Sequence, residues 1–314
     1  MTDTTRVVDS HVHFWNPVAG GQRAGEQGES GDLHQVIPSE QRESRDLHVL
    51  HYPWLDSLPA LRRSLLPANY AAVADAFIVV EANCISSEAE LEVDFVHQLA
   101  AQDDRIAGVV AFVDLGNEES RDGTLSRLSQ RDRVVGVRQN IQGHTKGFCL
   151  TPSFVGGVHN ATALGFTFDV CITADQLDDA IELVRRCPDT QFILDHCAKP
   201  AIRDEAFAPW AAGIEYLAAF ETVSCKLSGL LSEARPEQRN ADALCPYVDH
   251  VRDCFGPTRL LFGSDWPVCT LAGGDALWRT IVGELTADWS PIDRRAMYAD
   301  NATRLYGMTR HADR

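Results

Sequence analysis

A chain of 314 residues, 45% hydrophobic and 23% charged, has the length for one large core, either a single α/β barrel or two smaller domains. Its 45 acidic against 28 basic residues, a formal charge of −17, repel phosphate backbones and anionic bilayers, which argues against nucleic acid or a membrane as partner. The nine cysteines are scattered singly, without the paired spacing of a zinc ribbon or disulfide scaffold, and read as buried small hydrophobes in a reducing compartment.

The opening Met1-Thr2-Asp3-Thr4-Thr5-Arg6 lacks the basic end and cleavage site of a signal peptide, so a cytoplasmic protein is expected. Eight short β-rich apolar runs then recur, at residues 6–14, 76–83, 106–114, 134–141, 165–172, 190–198, 223–229 and 259–266. Stretches with helical periodicity lie between them at 87–103, 118–131, 153–164, 174–186, 208–220, 241–255 and 275–287, and 291–306 closes the chain. Strands alternating with helices imply parallel pairing. The expected fold is α/β, a (β/α)8 TIM barrel forming a single domain over 1–314; a doubly wound sheet is the rival. Polar groups favour the barrel, because a barrel gathers all its strand ends into one ring, and many runs end in a capable group: His11 and His13, Glu81, Arg138, His196, Lys226 and Asp265.

The first unit is abnormal. Residues 16–51 are rich in Gly, Gln, Glu and Ser with little apolar periodicity, and they leave the C-terminal end of the first strand. A lid or pocket wall over the mouth is expected, contributing His34, His48 or His51; the competing reading is a surface excursion without a role. The cluster Tyr52-Pro53-Trp54-Leu55 is better placed to pack into or over that mouth.

His11 and His13 stand two apart on one strand, so both imidazoles share a face, as one cation bound from one strand requires. An H-x-H pair alone is weak, and its weight comes from company. His196 and Asp265 lie at two further strand ends, and an Asp following Leu261-Phe262-Gly263-Ser264 is costly to bury unless it is paired or metal-bound. Histidines plus one carboxylate suit one divalent metal, Zn²⁺ first, with a position open for water.

These motifs resemble the lactonase branch of the amidohydrolase superfamily, the group of L-fuconolactonases, L-rhamnonolactonases and pyrone-dicarboxylate lactonases. The resemblance rests on Asp9-Ser10-His11-Val12-His13-Phe14-Trp15, Gly136-Val137-Arg138, Leu194-Asp195-His196 through Lys199-Pro200, Cys225-Lys226-Leu227-Ser228-Gly229, Leu261-Phe262-Gly263-Ser264-Asp265-Trp266-Pro267-Val268 and Asn301-Ala302-Thr303-Arg304-Leu305-Tyr306-Gly307. It covers residues 7–308, with 16–51 departing as an insertion. It implies that Asp265 takes the proton from the attacking water and that the family's histidines fall on His11, His13 and His196. Some members hold a divalent metal with these groups; others polarise the lactone carbonyl with the histidines directly. Both modes stay open at this point.

Further expectations come from the residues themselves. Arg138 can fork onto a substrate carboxylate or a developing oxyanion, or hold the strand end in a salt bridge. Lys199 can reach sugar hydroxyls or a structural carboxylate. Glu81 can contact metal or substrate, or pair with Arg138. Trp54 and Trp266 can stack on a sugar ring or pack the rim. Lys226, mid-strand, needs an acidic partner, and structural pairing is favoured over catalysis. The expected activity is hydrolysis of a sugar-acid lactone; the alternatives are a non-oxidative decarboxylase of the same superfamily and an inactive barrel serving as a binding protein. The expected partner is a small-molecule lactone, with room for a homo-oligomer.

Overall fold

A computed structural model of the chain describes residues 6–18 and 47–308. Eight strands form one parallel sheet in sequential order: β1 Val8–Val12, β2 Ala76–Val80, β3 Ile106–Phe112, β4 Val134–Arg138, β5 Thr167–Val170, β6 Phe192–Leu194, β7 Val223–Leu227 and β8 Leu260–Phe262. Each falls inside one of the eight expected runs. The ring closes between its ends: Val12 bridges Trp266, His13 N donates to Trp266 O at 2.7 Å, and Asp265 N donates to His11 O at 2.9 Å. The fold is a (β/α)8 barrel.

The helices follow from amphipathic spacing and good caps. They are α1 Ala89–Ala100, α2 Arg121–Ser129, α3 Pro152–Ala163, α4 Leu177–Arg186, α5 Phe207–Ala218, α6 Ala241–Phe255 and α7 Gly274–Leu285. In α4 the residues Leu177, Ala180, Leu183 and Val184 are buried while Arg185 and Arg186 close the last turn, the i, i+3, i+4 stripe of a helix lying on a sheet. Thr151 caps α3 by accepting from Phe154 N, with Pro152 in the first turn, an arrangement that stabilises a helix start by about 1 kcal/mol.

Two apolar layers result. Val8, Ile78, Val80, Val110, Val135, Ile193 and Leu261 meet one another together with Ala299, Ala302 and Tyr306, so the terminal helical segment closes one end of the barrel. A larger layer, including Phe77, Val79, Phe168, Phe192 and Phe262, packs against the helices. The last segment reaches its place through Pro291–Arg295, a π-turn at Ala296–Asp300 and Asn301–Leu305.

Among the described residues the first unit has no α-helix between its strands. Short 3-10 turns at Pro53–Ser57 and Pro67–Asn69 take its place, anchored by the fully buried Trp15, whose indole donates to Leu61 O and Arg63 O, both at 3.1 Å. The ends of the expected insertion are pinned together, Val18 N to Leu50 O at 3.1 Å and Leu50 N to Asn16 O at 3.0 Å. The expected lid itself, His34 included, lies outside the described residues. No helix among the described residues is long and apolar enough to cross a membrane.

Candidate active site and metal centre

β1 changes register between Asp9 and Val12. That shift separates Asp9, whose carboxylate accepts from Ser264 N at 2.8 Å and Tyr70 Oη at 2.8 Å, from the pair His11 and His13. Burial pushes the Asp9 carboxyl up to about 6 despite those bonds.

The other two groups arrive on unusual backbone. Residues 196–199 all have left-handed φ values, from 46° to 57°, and Asp265 has φ 59°. Each such non-glycine residue costs roughly 1–2 kcal/mol, and that strain is held where strand ends β6 and β8 turn their side chains over the mouth.

Three imidazole Nε2 atoms meet one carboxylate oxygen: Asp265 Oδ1 lies 3.5 Å from His13, 3.9 Å from His11 and 3.9 Å from His196. Each histidine is held by its other nitrogen. His13 Nδ1 lies 2.8 Å from Val80 O, His196 Nδ1 lies 2.8 Å from Ser228 Oγ, and His11 Nδ1 lies 3.1 Å from Asp195 Oδ1 and 3.0 Å from Lys226 Nζ. A carbonyl can only accept, so His13 carries its proton on Nδ1 and presents a lone pair at Nε2.

Beneath this trio lies a fully buried ionic chain. Lys226, 0% exposed, reaches Asp169 at 2.5 Å and Asp195 at 2.9 Å, and Tyr306 Oη donates to Asp169 at 2.9 Å. Arg138 donates from Nε to Glu81 Oε1 at 2.7 Å, from Nη2 to Glu81 O at 2.6 Å and from Nη1 to Asp195 at 3.1 Å. Burial works to neutralise Lys226, but Asp169 and Asp195 hold its ammonium above the usual range. Asp195 is held well below the usual carboxylate range by Lys226, His11 and Arg138, against its burial.

Burial also lowers His196 and His11. His196 falls to about 4, with Lys199 and Arg138 adding to the effect against the pull of Asp265 and Asp195. His11 falls well below its ordinary value, through burial and then the Lys226 and His196 charges, against Asp195. Both are therefore neutral near pH 7, the form that binds metal. Asp265 is ionised: burial would raise it, but His196, His13 and Lys199 hold it below the ordinary range.

The residues fit a divalent cation. His11 Nε2 is buried and lacks a hydrogen-bond partner among the described residues, a deficit worth about 1–3 kcal/mol unless a ligand fills it. The separations of 3.5–3.9 Å are too long for good hydrogen bonds. They approach the ~3.3 Å between neighbouring donors that bonds of about 2.0–2.1 Å give in a tetrahedral site. Glu81, Asp169, Asp195 and Asp265 stand against Arg138 and Lys226 in this buried set, leaving surplus negative charge for a cation to balance. Among the described residues two donor groups are close enough to share an ion, His11 with His13 and Asp265, and His11 with Asp195 and His196. The first is the better candidate, because Asp195 is already engaged by Lys226 and Arg138.

The sequence profile of the amidohydrolase family matches residues 8–308, from the start of the first strand to the end of the closing segment. The chain belongs to the amidohydrolase family. It is 30% identical to an L-fucono-1,5-lactonase of Burkholderia multivorans, over 98% of this chain and 97% of that one. It is 26% identical to an L-rhamnono-gamma-lactonase of Scheffersomyces stipitis, over 56% of this chain and 59% of the relative. A crystal structure of an amidohydrolase from Burkholderia multivorans with bound zinc superimposes with a TM-score of 0.78 at 29% identity, covering 96% of this chain and 99% of that one.

Within this amidohydrolase site, His11, His13, His196 and Asp265 come together as the spacing suggested, and Lys226 has its acidic partners. Other expected residues have different surroundings. All three donor positions named above for Arg138 are engaged by Glu81 and Asp195, so the salt-bridge alternative describes its geometry rather than a free fork. Glu81 is the other half of that pair, its second oxygen accepting from Asn83 N at 2.7 Å. Trp266 departs from the stacking expectation: its indole is 3% exposed and packed on Phe14 and Tyr70, which leaves no face for a ring. Trp54 stands half-buried, its indole donating to Ala82 O at 2.7 Å. Lys199 bonds Gln142 Oε1. His51 is paired with Glu88 at 2.6 Å, and the His48 backbone is tied to Gln98 and Asn16.

Sequence reading gave no role to Asp195, Ser228, Asp169, Gly229 or Gly263. Two are glycines of necessity. A Cβ on Gly229 would lie 2.6 Å from His196 Nδ1, and one on Gly263 would lie 2.8 Å from His11 Cβ. The available signal was the quoted strings, Asp195 beside His196 and Ser228-Gly229 after Lys226.

Proposed function

We propose that this amidohydrolase opens sugar-acid lactones of the L-fuconolactone or L-rhamnonolactone type, with one zinc ion held by His11, His13, His196 and Asp265. The observation that carries the reading is the convergence of three buried imidazole nitrogens on one Asp265 oxygen. The names of the relatives support the substrate class, and the zinc-bound neighbour supports the ion.

A bound divalent ion would supply Lewis acidity, polarising the ester carbonyl and making water more acidic. The chain's own residues do the rest. Ionised Asp265 accepts a proton as water oxygen attacks the carbonyl carbon, then delivers it to the ring oxygen as the carbon–oxygen bond breaks, leaving a free hydroxyl and a carboxylic acid that ionises and releases its proton to solvent. Neutral His11 and His196 turn their Nε2 atoms to that point, positioned by Asp195 with Lys226 and by Ser228. Arg138 acts at one remove, holding Asp195 and Glu81. Lys199 and Trp54 flank the mouth as substrate contacts.

The test is a panel of aldonolactones assayed for acid release, with and without exhaustive chelation. Acid release that is lost with the ion and restored by Zn²⁺ is expected. Full activity in the chelated enzyme would replace the ion with direct polarisation by the histidines. Asp265→Asn should lower kcat about 10²- to 10⁴-fold with the melting temperature within a few degrees of wild type; normal turnover would remove Asp265 from the proton path.

A further inference from the structure

β7 leads through Ser228 and the left-handed Gly229 into a single helical turn, Leu230–Glu233. That turn is clamped from the neighbouring loop by Arg203, which donates to Ser232 O at 3.0 Å and to Glu233 O at 3.5 Å. The backbone of Glu233 is thus fixed while its side chain is left over. Among the described residues the Glu233 carboxylate has no hydrogen-bond or ion-pair partner, although it is only partly exposed. Its charged neighbours are Lys199, Arg203 and Asp265. Burial and the nearby Asp265 charge raise its carboxyl, against the pull of Lys199 and Arg203.

A carboxylate without a partner among the described residues keeps its accepting capacity, about four hydrogen bonds over two oxygens, for another molecule. Lys199 can only donate, and Gln142, which it bonds, can do both. Acceptors and donors thus stand on the loops after β4, β6 and β7, and the turn that carries Glu233 starts from Ser228 and Gly229, which abut His196. Vicinal hydroxyls, each a donor and an acceptor, complement such a rim better than an apolar ring does.

We infer that Glu233 is a specificity-determining residue that accepts hydrogen bonds from the substrate's hydroxyl groups, selecting polyhydroxylated lactones over bare ones. The inference rests on the lactonase reading above and adds to it the residue that distinguishes a sugar from any other cyclic ester. Glu233 holds the hydroxylated face of the ring, leaving Asp265 to the proton.

The experiment compares wild type, Glu233→Gln and Glu233→Ala on an aldono-1,5-lactone and on δ-valerolactone, the same ring without hydroxyls. The selectivity is the ratio of the two kcat/KM values. In Glu233→Ala it should fall about 10- to 100-fold, the range for a lost hydrogen bond to a charged group, mainly through KM for the sugar lactone. Glu233→Gln, which keeps an accepting oxygen, should fall less. Unfolding curves matching wild type would separate this from damage to the fold. A ratio that does not move, or an equal drop in kcat on both lactones, would overturn the inference while leaving the lactonase reading intact. Wild-type enzyme that opens neither lactone would overturn that reading, and the inference with it.

Discussion

Replacing Gly229 with alanine tests whether His196 must sit where it does. The added methyl would lie 2.6 Å from His196 Nδ1, 2.8 Å from Cγ and 3.0 Å from Cβ, so either the imidazole or the backbone must move. Gly229 also has φ 69°, where alanine costs roughly 1–2 kcal/mol. Crowding a packed site adds about 1–3 kcal/mol, and loss of the His196 to Ser228 contact about 1 kcal/mol. The sum, on the order of 3–6 kcal/mol, is smaller than most of the 5–15 kcal/mol range typical of a domain, so the variant should fold with a lowered urea midpoint. Activity should suffer more, because shifting a reacting group by about 1 Å can cost 10²-fold. Urea unfolding by circular dichroism and lactone hydrolysis below the transition give both quantities. A folded variant within threefold of wild-type kcat/KM would refute the reasoning, showing that His196 can leave this position without consequence.

Two further outcomes follow from buried charge. Burial and the neighbouring Glu81 push the Glu92 carboxyl up to about 8 from its ordinary 4.5, so its contribution is fully present below about pH 4.5 and lost as pH rises through about 8. Glu92→Gln, which keeps an acceptor for Ala82 N, should remove that slope, worth on the order of 4–5 kcal/mol at most. Its melting temperature relative to wild type should therefore be higher at pH 8 than at pH 5; a difference independent of pH would mean that Glu92 does not titrate there. Arg138→Met strands Glu81 and Asp195 in the interior, and breaking a buried pair costs about 3–5 kcal/mol. Equilibrium urea unfolding checks this, and a loss under 1 kcal/mol would show that the carboxylates find other compensation.

The barrel was legible because buried parallel strands must be apolar on both faces, and each of the eight runs carries that mark. His11 and His13 were legible because a two-residue repeat puts both on one face. The pairing of Lys226 with Asp169 was only half legible: a mid-strand lysine announces a need, but its partner sits 57 positions away across the barrel, and no local pattern points there. Arg138 and Glu81 also lie 57 positions apart; their pairing was one of the readings open to each, and nothing local chose it over a reach for substrate. The left-handed run at 196–199 was illegible, since His-Cys-Ala-Lys contains none of the glycine or asparagine that usually marks such backbone. Only the surrounding packing imposes it.

The seam that closes the barrel is also where His11, His13 and Asp265 meet, joined by the bonds from Asp265 N to His11 O and from His13 N to Trp266 O. Donors supplied by the first strand therefore wait for a carboxylate encoded some 250 residues later. Until the last strand lies against the first, the Nε2 atoms of the two histidines have no carboxylate to face. On the proposed mechanism, chemistry becomes available only when the first and last strands join, so catalytic competence and closure of the barrel arrive together.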